Sequence, residues 1–220
     1  MNQIEAYWLG FLYADGTLRK PDKRRQKSFR RICLELSSKD RDHIDLFLMD
    51  FDPSRHHNIR YKKRRNKTNE AAITTISINK LKFISENNWD LFHVGNSAVL
   101  DALSNIEFIH WLRGFIDGDG SIKFKRINKR RPLTPTLVIF SPHQAILAYI
   151  GRRINEIINI SSNTVKKHVN IYKINWSGTR ARDILRYVYN NAKRWLDRKY
   201  KDFLICNNFI SIFEKVGDLS

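Results

Sequence analysis

The sequence predicts an α+β fold built from two similar units, and three observations support this prediction. The segment WLGFLYADG at positions 8–16 returns as LRGFIDGDG at positions 112–120, which is 104 residues later. Strand-like segments that end in Ser37 and Ser141 share the same offset, and similar apolar patterns follow in both halves. Such a duplication predicts two units related by a pseudo-two-fold axis. We expect one unit at 1–104, with a connection at 88–104, and the other at 105–220.

Each unit is predicted to run helix, strand, strand, helix, strand, strand, helix (αββαββα). Ile32, Leu34 and Leu36 alternate with other residues, a period of two that indicates a strand with one buried face. In the first unit, we predict helices at 4–14, at about 38–51 and at 80–87, with a basic strand or loop after the first helix and strands at 30–37, 57–64 and 71–78. We expect Gly16 to end the first helix in the left-handed conformation.

The second unit repeats this order. We predict helices at 106–117, 143–158, 183–190 and 194–205, with strands at 121–127, 134–141, 164–169 and 171–177. Adjacent strands in each unit would form a four-stranded antiparallel sheet backed by helices.

The chain is strongly basic. Lys and Arg number 40 against 22 Asp and Glu, which gives a formal net charge of +18. The positive charge is concentrated in three runs at 19–31, 60–67 and 123–131, and the first and third follow the two Asp-Gly motifs. Clustered cations on strand-like sequence favour a surface that binds a polyanion, and nucleic acid is the natural partner.

The two cysteines, Cys33 and Cys206, are too few and too far apart for a disulfide framework or a zinc site. No apolar run approaches the ~18 residues that a membrane span needs, and the residues before the first motif do not show the charged-then-apolar pattern of a leader. We therefore expect a soluble intracellular protein with no membrane partner.

Small residues mark one face of each motif helix. Gly10 and Ala14 are four apart, as are Gly114 and Gly118, so the two helices can pack backbone to backbone. Their carboxyl ends would then converge and bring Asp15 beside Asp119.

Two acids at helix carboxyl ends, where the helix dipole is already negative, predict a site for a divalent cation. Oxygen ligands without His or Cys select Mg²⁺, with Mn²⁺ or Ca²⁺ as substitutes. We assign no ligand role to the backbone carbonyl of Ala14. A metal beside a phosphate-binding surface indicates hydrolysis of a phosphodiester, and two related sites could cut both strands of a duplex.

The two nine-residue segments resemble the signature motifs of the LAGLIDADG homing endonucleases, in the single-chain form that carries both copies. The resemblance covers nearly the whole chain. It implies a saddle of two sheets on double-stranded DNA, a long asymmetric site, metal-dependent double-strand cleavage, intron homing and a monomer that needs no protein partner. It also implies that Asp15 and Asp119, at the eighth motif positions, bind the metal. The sixth positions differ, with Tyr13 in one motif and Asp117 in the other, and we expect Asp117 to be structural.

Members of this family also place a basic residue near the start of the last helix of each unit. The resemblance therefore implies catalytic roles for Lys80, ahead of Lys82, and for Arg180, ahead of Arg182. Glu35 matches a position that often holds a polar residue near active-site water, and its repeat partner Ile139 cannot serve in this way.

Strand residues that alternate toward the major groove are the candidates for contact with DNA. They are Arg19, Lys20, Arg30, Glu35, Arg60, Lys62, Lys123, Lys125, Lys173 and Asn175.

Two alternatives remain. His56-His57-Asn58 hints at an HNH nuclease, but no Cys pairs frame it, and we expect loop histidines there. The stronger alternative is a nucleic-acid-binding protein that does not cleave, such as an intron maturase. The acids at both eighth positions favour the enzyme.

Overall fold

The computed structural model describes residues 1–19, 30–55, 59–63, 70–86, 97–126, 133–161 and 163–217. The first unit contains helices α1 (Gln3–Asp15), α2 (Arg41–Phe51) and α3 (Lys82–Glu86), with strands β1 (Gly16–Arg19), β2 (Arg31–Ser37), β3 (Arg60–Lys63) and β4 (Glu70–Ser77). This is the predicted order of elements, with boundaries that move by at most a few residues.

The second unit repeats the order after a short helix, α4 (Ala98–Asp101). It contains helices α5 (Asn105–Asp119), α6 (Gln144–Ile158), α7 (Thr179–Tyr189) and α8 (Asp197–Gly217), with strands β5 (Gly120–Arg126), β6 (Leu133–Ser141), β7 (Lys166–His168) and β8 (Ile171–Ser177). Most of the predicted connection, 87–96, lies outside the described residues, as do His56, His57 and Asn58.

The strands form two sheets of four strands each, in the orders β1-β2-β4-β3 and β5-β6-β8-β7. Neighbouring strands are antiparallel in both sheets. The predicted pair of helix-backed antiparallel sheets is therefore confirmed, and the two units share one topology.

A capping box starts each motif helix. The side chain of Asn2 accepts hydrogen bonds from the amides of Ile4 and Glu5, both at 2.9 Å, and Ser104 and Glu107 make the corresponding exchange. The amino terminus of Met1 also pairs with Glu107 at 2.7 Å. Helices α1 and α5 therefore begin side by side, as two adjacent parallel helices must.

The predicted left-handed end of α1 is wrong. Gly16 has φ −81° and Gly120 has φ −84°, so both residues are extended and pass directly into a strand. Glycine is needed there for a steric reason, because a Cβ on Gly16 would lie 2.3 Å from the Leu12 carbonyl oxygen. Each motif therefore turns from helix to strand without an intervening loop.

The core lies between the helices and one face of each sheet. The even-numbered residues Ile32, Leu34 and Leu36 of β2 are buried, whereas Leu137 and Ile139 of β6 are buried at odd positions. Trp8 and Trp111 of the motif helices are fully buried. None of the helices in the described ranges is long and apolar enough to cross a membrane.

Candidate functional site

The two motif helices touch through their glycines. A Cβ on Gly10 would lie 1.9 Å from the Trp111 carbonyl oxygen, and a Cβ on Gly114 would lie 1.9 Å from that of Tyr7. One turn further on, a Cβ on Gly118 would lie 2.4 Å from the Cβ of Ala14. The four small residues therefore form the helix contact, and no side chain can enter it without moving a backbone.

Asp15 and Asp119 are the last residues of α1 and α5, and this contact brings them together. A Cβ on Gly118, the residue before Asp119, would lie 3.2 Å from Asp15 Oδ2. Burial and, to a smaller extent, the negative charge of Asp15 raise the pKa of Asp119 to about 7, against an opposing effect of Lys199. The two half-buried carboxyl groups are thus electrostatically coupled.

The chemistry of this site suits a hard divalent cation. Two carboxylates stand at helix ends whose last carbonyls have no amide partner within the helix. In the parts of the chain that the structure describes, no group of three or more His, Cys, Asp or Glu side chains could hold a metal ion. Two carboxylates with added water fit Mg²⁺, which keeps several of its waters when protein-bound.

Lys199 is a residue of the site that the sequence interpretation missed. It is 3% exposed, and its Nζ donates to the carbonyl oxygens of Ile116, at 3.1 Å, and Gly120, which flank the end of α5. Burial lowers its pKa to about 8, while Asp117, Asp202 and Asp15 act in the opposite direction. A buried cation therefore lies beside the paired acids.

The structure places Lys80 away from the acids. Its Nζ lies 2.5 Å from Asp52 Oδ1, and it lines one cavity with Lys82 and Glu5. Glu5 belongs to the first turn of α1, whereas Asp15 is its last residue. Glu5 and Asp15 are ten residues apart on this helix, a distance of about 15 Å along its axis. Lys80 therefore does not reach Asp15.

Arg180 is also remote from the acids. Its Nη1 donates to Ser161 Oγ at 3.3 Å and to Asn163 Oδ1 at 3.4 Å. It follows Ser177, which pairs with Thr136, whereas Gly120 beside Asp119 pairs with Ile139. Three residues of strand separate these pairs by about 10 Å. Lys199, near the start of α8, is instead the cation that lies beside the acids.

Asp117 is structural, as expected. It is fully buried and accepts hydrogen bonds from the hydroxyls of Tyr7, at 2.8 Å, and Tyr189, and from the amide of Leu196, at 2.8 Å. Burial raises its pKa to about 6, against these hydrogen bonds. Because Leu196 immediately precedes α8, Asp117 fixes the start of the helix that carries Lys199.

Tyr13, at the corresponding position of the first motif, packs against aromatic rings. Its ring makes edge contacts with Trp111 and Phe115, at centroid distances of 5.8 and 5.4 Å. Burial raises the pKa of Tyr13, and the charge of Asp119 adds to this effect. The two sixth positions therefore support the site in different ways.

The predicted match between Glu35 and Ile139 is wrong by one residue. Gly16 pairs with Leu34, and the equivalent Gly120 pairs with Ile139. Leu34 and Ile139 are both fully buried, so they occupy equivalent positions, and the exposed Glu35 corresponds to Phe140. Glu35 follows the partner of Gly16, at the end of the sheet where Asp15 lies.

Most of the predicted DNA-contact residues share the faces of the sheets that point away from the core. In the first sheet, the even-numbered residues of β2 that face the core are buried. The odd-numbered residues of β2 share the opposite face with Arg19, which pairs with β2 directly, and with Arg60 and Lys62, which are joined to β2 through β4. In the second sheet, Lys123, Lys173 and Asn175 align with even positions of β6, opposite to its buried odd positions. We call these two surfaces the free faces.

The structure gives less information about the other three predicted DNA-contact residues, Arg30, Lys125 and Lys20. Arg30 is exposed and directly precedes β2, Lys125 belongs to β5, and Lys20 lies outside the described residues. The free faces also carry two exposed cations that were not predicted individually, Arg31 beside Arg19 and Lys166 beside Lys173. Strand pairing reveals them, because it shows which residues share a face.

Neither a family sequence model nor a curated protein matches the chain. Solved structures do match along its whole length. I-SmaMI bound to uncleaved DNA target in the presence of calcium ions has a TM-score of 0.63 at 13% identity, over 100% of this chain and 94% of that one. The LAGLIDADG homing endonuclease I-GzeII in complex with DNA target has a TM-score of 0.63 at 13% identity, over 98% and 92%. The LAGLIDADG meganuclease I-AabMI bound to uncleaved DNA has a TM-score of 0.61 at 12% identity, over 99% and 92%.

Proposed function

We propose that this chain, which has the fold of the single-chain LAGLIDADG homing endonucleases, is a site-specific endonuclease that cuts both strands of DNA. The observation that carries the proposal is the meeting of Asp15 and Asp119 at the ends of two helices packed backbone to backbone. Units 1–104 and 105–220 each contribute one acid. A single chain would therefore suffice as a monomer on an asymmetric site.

Binding to duplex DNA is supported by the free faces of the two sheets. The cations on β1, β5 and β8 alternate with residues that face the core, a spacing that directs one set of side chains to a groove and to its phosphates. The net charge of +18 supplies attraction to any polyanion. Sequence readout is assigned to the strand residues on these faces, with Asn175 and Glu35 as hydrogen-bonding groups among the cations.

Asp15 and Asp119 would hold Mg²⁺, with Mn²⁺ or Ca²⁺ as substitutes. When bound, such an ion activates water and stabilises the charge that builds on the phosphoryl oxygens. The two carboxylates would hold the ion between the carboxyl ends of α1 and α5. Burial raises the pKa of Asp119 to about 7, so the acid must lose its proton before it can bind a cation.

Lys199 is the basic residue that we assign to this site, in place of Lys80 and Arg180. Its position is set by the carbonyls of Ile116 and Gly120. The ammonium group places a positive charge beside both acids, where it can stabilise a phosphate that carries extra negative charge in the transition state.

The test uses a plasmid that carries the uninterrupted host-gene sequence, in which the exons on either side of the interrupting intron are joined. With Mg²⁺, wild type should produce nicked and then linear DNA, and Asp15→Asn and Asp119→Asn should produce neither while still retarding the plasmid on a gel. Asp42→Asn is the matched control, because Asp42 is an exposed acid in the first turn of α2, and it should cleave like wild type.

Intact plasmid after incubation with folded, DNA-binding wild-type protein would contradict the nuclease. Restored splicing of the interrupting intron by the same preparation would then identify the protein as a maturase. Cleavage that persists in both Asp→Asn variants would place the active site elsewhere.

A further inference from the structure

The free face of the second sheet changes character along its strands. At the end away from Asp119, the row of paired residues is polar and consists of Lys123, Thr136 and Ser177. At the Asp119 end, the same face presents the apolar residues Phe140 and Ile171 beside the cations Lys173 and Lys166. An exposed apolar area thus lies within a surface that otherwise carries cations and small polar groups.

Four residues define this area, which we call the inner patch: Val138, Phe140, His168 and Ile171. The rings of Phe140 and His168 have centroids 6.0 Å apart at an interplanar angle of 43°. Ile171 pairs with His168 across the β7–β8 ladder and is 36% exposed, and Phe140 is half-buried. The four residues lie on the same face of the sheet, on β6, β7 and β8.

The inner patch lies close to the paired acids along the strand direction. Gly120, which follows Asp119, pairs with Ile139, so Phe140 is the next residue of β6 beyond the start of β5. Lys173 pairs with Phe140, and Lys166 pairs with Lys173. These two lysines place positive charge beside the inner patch, where DNA phosphates would flank a groove-facing contact.

In the first sheet, the row equivalent to Phe140, Lys173 and Lys166 consists of Glu35, Ile73 and Arg60. The aligned registers of Gly16 with Leu34 and Gly120 with Ile139 make Phe140 the counterpart of Glu35. A carboxylate accepts hydrogen bonds from cytosine amino groups, whereas a phenyl ring offers only an apolar surface. The two halves must therefore read different chemistry in the bases nearest to the cut.

An apolar group in the major groove has one natural partner, the C5-methyl group of thymine, since the other base edges there present hydrogen-bond donors and acceptors. We propose that the inner patch recognises the methyl groups of one or two thymines in the half-site that lies on the second sheet. The inference rests on the proposed function and specifies the DNA that the enzyme accepts.

The test removes the methyl group and changes nothing else in the base pair. In a duplex that wild type binds specifically, each thymine is replaced singly by deoxyuridine, and affinity is measured in Ca²⁺ at fixed salt. One or two replacements in a single half-site should weaken wild-type binding about fourfold each, which corresponds to the ~0.8 kcal/mol of one buried methyl-sized group. Phe140→Ser should bind the thymine and deoxyuridine duplexes equally well.

Ile106→Ser is the matched control. It also removes an exposed apolar side chain (69% exposed), but from the beginning of α5, away from Asp119. This variant should keep the full sensitivity to deoxyuridine. If circular dichroism shows that Phe140→Ser is unfolded, Ile171→Thr takes its place.

Wild-type binding that is unchanged at every thymine would overturn the proposal, and so would sensitivity that persists in folded Phe140→Ser and Ile171→Thr. Either result leaves the nuclease assignment intact, because specific binding has then been observed. Failure to bind any duplex specifically would instead refute the proposed function.

Discussion

Replacing Asp119 by asparagine should make the protein inactive and also more stable. Burial, together with the charge of Asp15, raises the pKa of Asp119 to about 7, from about 3.9 in an unfolded chain. Above pH 7, the folded protein therefore holds an ionised acid in a place that disfavours ionisation. Asparagine has nearly the same shape and carries no charge.

The size of the expected stabilisation follows from the shift in the pKa of Asp119. Three pKa units correspond to about 4 kcal/mol of free energy of unfolding, at 1.36 kcal/mol per unit. Asp119 is only half-buried, so solvent screening reduces the expected gain to about 2 kcal/mol. The folded state binds a proton that the unfolded state has lost between about pH 4 and pH 7, so wild-type stability falls as pH rises through this window. Below about pH 4, Asp119 is protonated in both the folded and the unfolded state, so the stability gained by Asp119→Asn should vanish.

Urea unfolding of wild type, Asp119→Asn and the exposed control Asp42→Asn, from pH 4 to pH 8 in EDTA, measures this difference. The gain for Asp119→Asn should grow with pH, and the control should follow wild type. When Mg²⁺ at about 100 times its Kd replaces EDTA, it should add about 2.7 kcal/mol to wild type and to the control but not to Asp119→Asn. A variant that is no more stable than wild type at pH 8, or a gain that is the same at every pH, would refute the reasoning.

Three further predictions concern other contacts. The kcat/KM for cleavage should rise as Asp119 loses its proton near pH 7 and fall as Lys199 loses its proton above pH 8. Lys199→Met should lower kcat/KM about 100-fold, whereas Lys199→Arg should shift the alkaline fall in kcat/KM to higher pH. An alkaline fall at the same pH in Lys199→Arg would argue against this role of Lys199. Gly114→Ala should lower the free energy of unfolding by about 3 kcal/mol, because the new Cβ would lie 1.9 Å from the Tyr7 carbonyl oxygen; an unchanged urea midpoint would contradict the helix contact. Val169→Asn should raise the melting temperature by a few degrees, because Val169 is a β-branched residue with φ 55° in an exposed turn; a lower melting temperature would show that the valine makes a stabilising contact.

The paired acids and their helix contact could be predicted because both depend on local sequence that is repeated. A glycine four residues before another small residue predicts a close helix contact wherever it occurs, and Asp15 and Asp119 follow these residues directly. The period-two pattern of β2 likewise predicted its buried face. Each inference needed only the neighbours of a residue along the chain.

Lys199 could not be found in this way. Its counterpart at the repeat offset of 104 is Gly95, so the duplication does not point to it. It lies among charged residues at the start of α8, and its burial results from contact with the end of α5, about 80 residues earlier in the sequence. Conversely, Lys80 occupies a plausible place at a helix start, but its ion pair with Asp52 forms far from Asp15.

The wrong partner for Glu35 has a simple geometric cause. The offset of 104 holds at the motifs, but the second unit has one extra residue before the point where Ile139 pairs with Gly120. Because side chains alternate along a strand, a shift of one residue exchanges the two faces. Ser37 and Ser141 kept the offset of 104 and concealed this insertion. Only the pairing of the strands shows that Phe140 faces the same way as Glu35.

The two halves have diverged around the acids while the helix contact has stayed the same. Tyr7 and Asp117 form a buried hydrogen bond, and the residues at the equivalent positions, Trp111 and Tyr13, pack ring against ring. The glycine contact cannot diverge in one half alone, because each glycine fits against the backbone of the other helix. The side chains beside each acid are under no such mutual constraint. A fused duplication of this kind can therefore acquire a different base preference in each half, as Glu35 and Phe140 indicate, without disturbing the site that joins the halves.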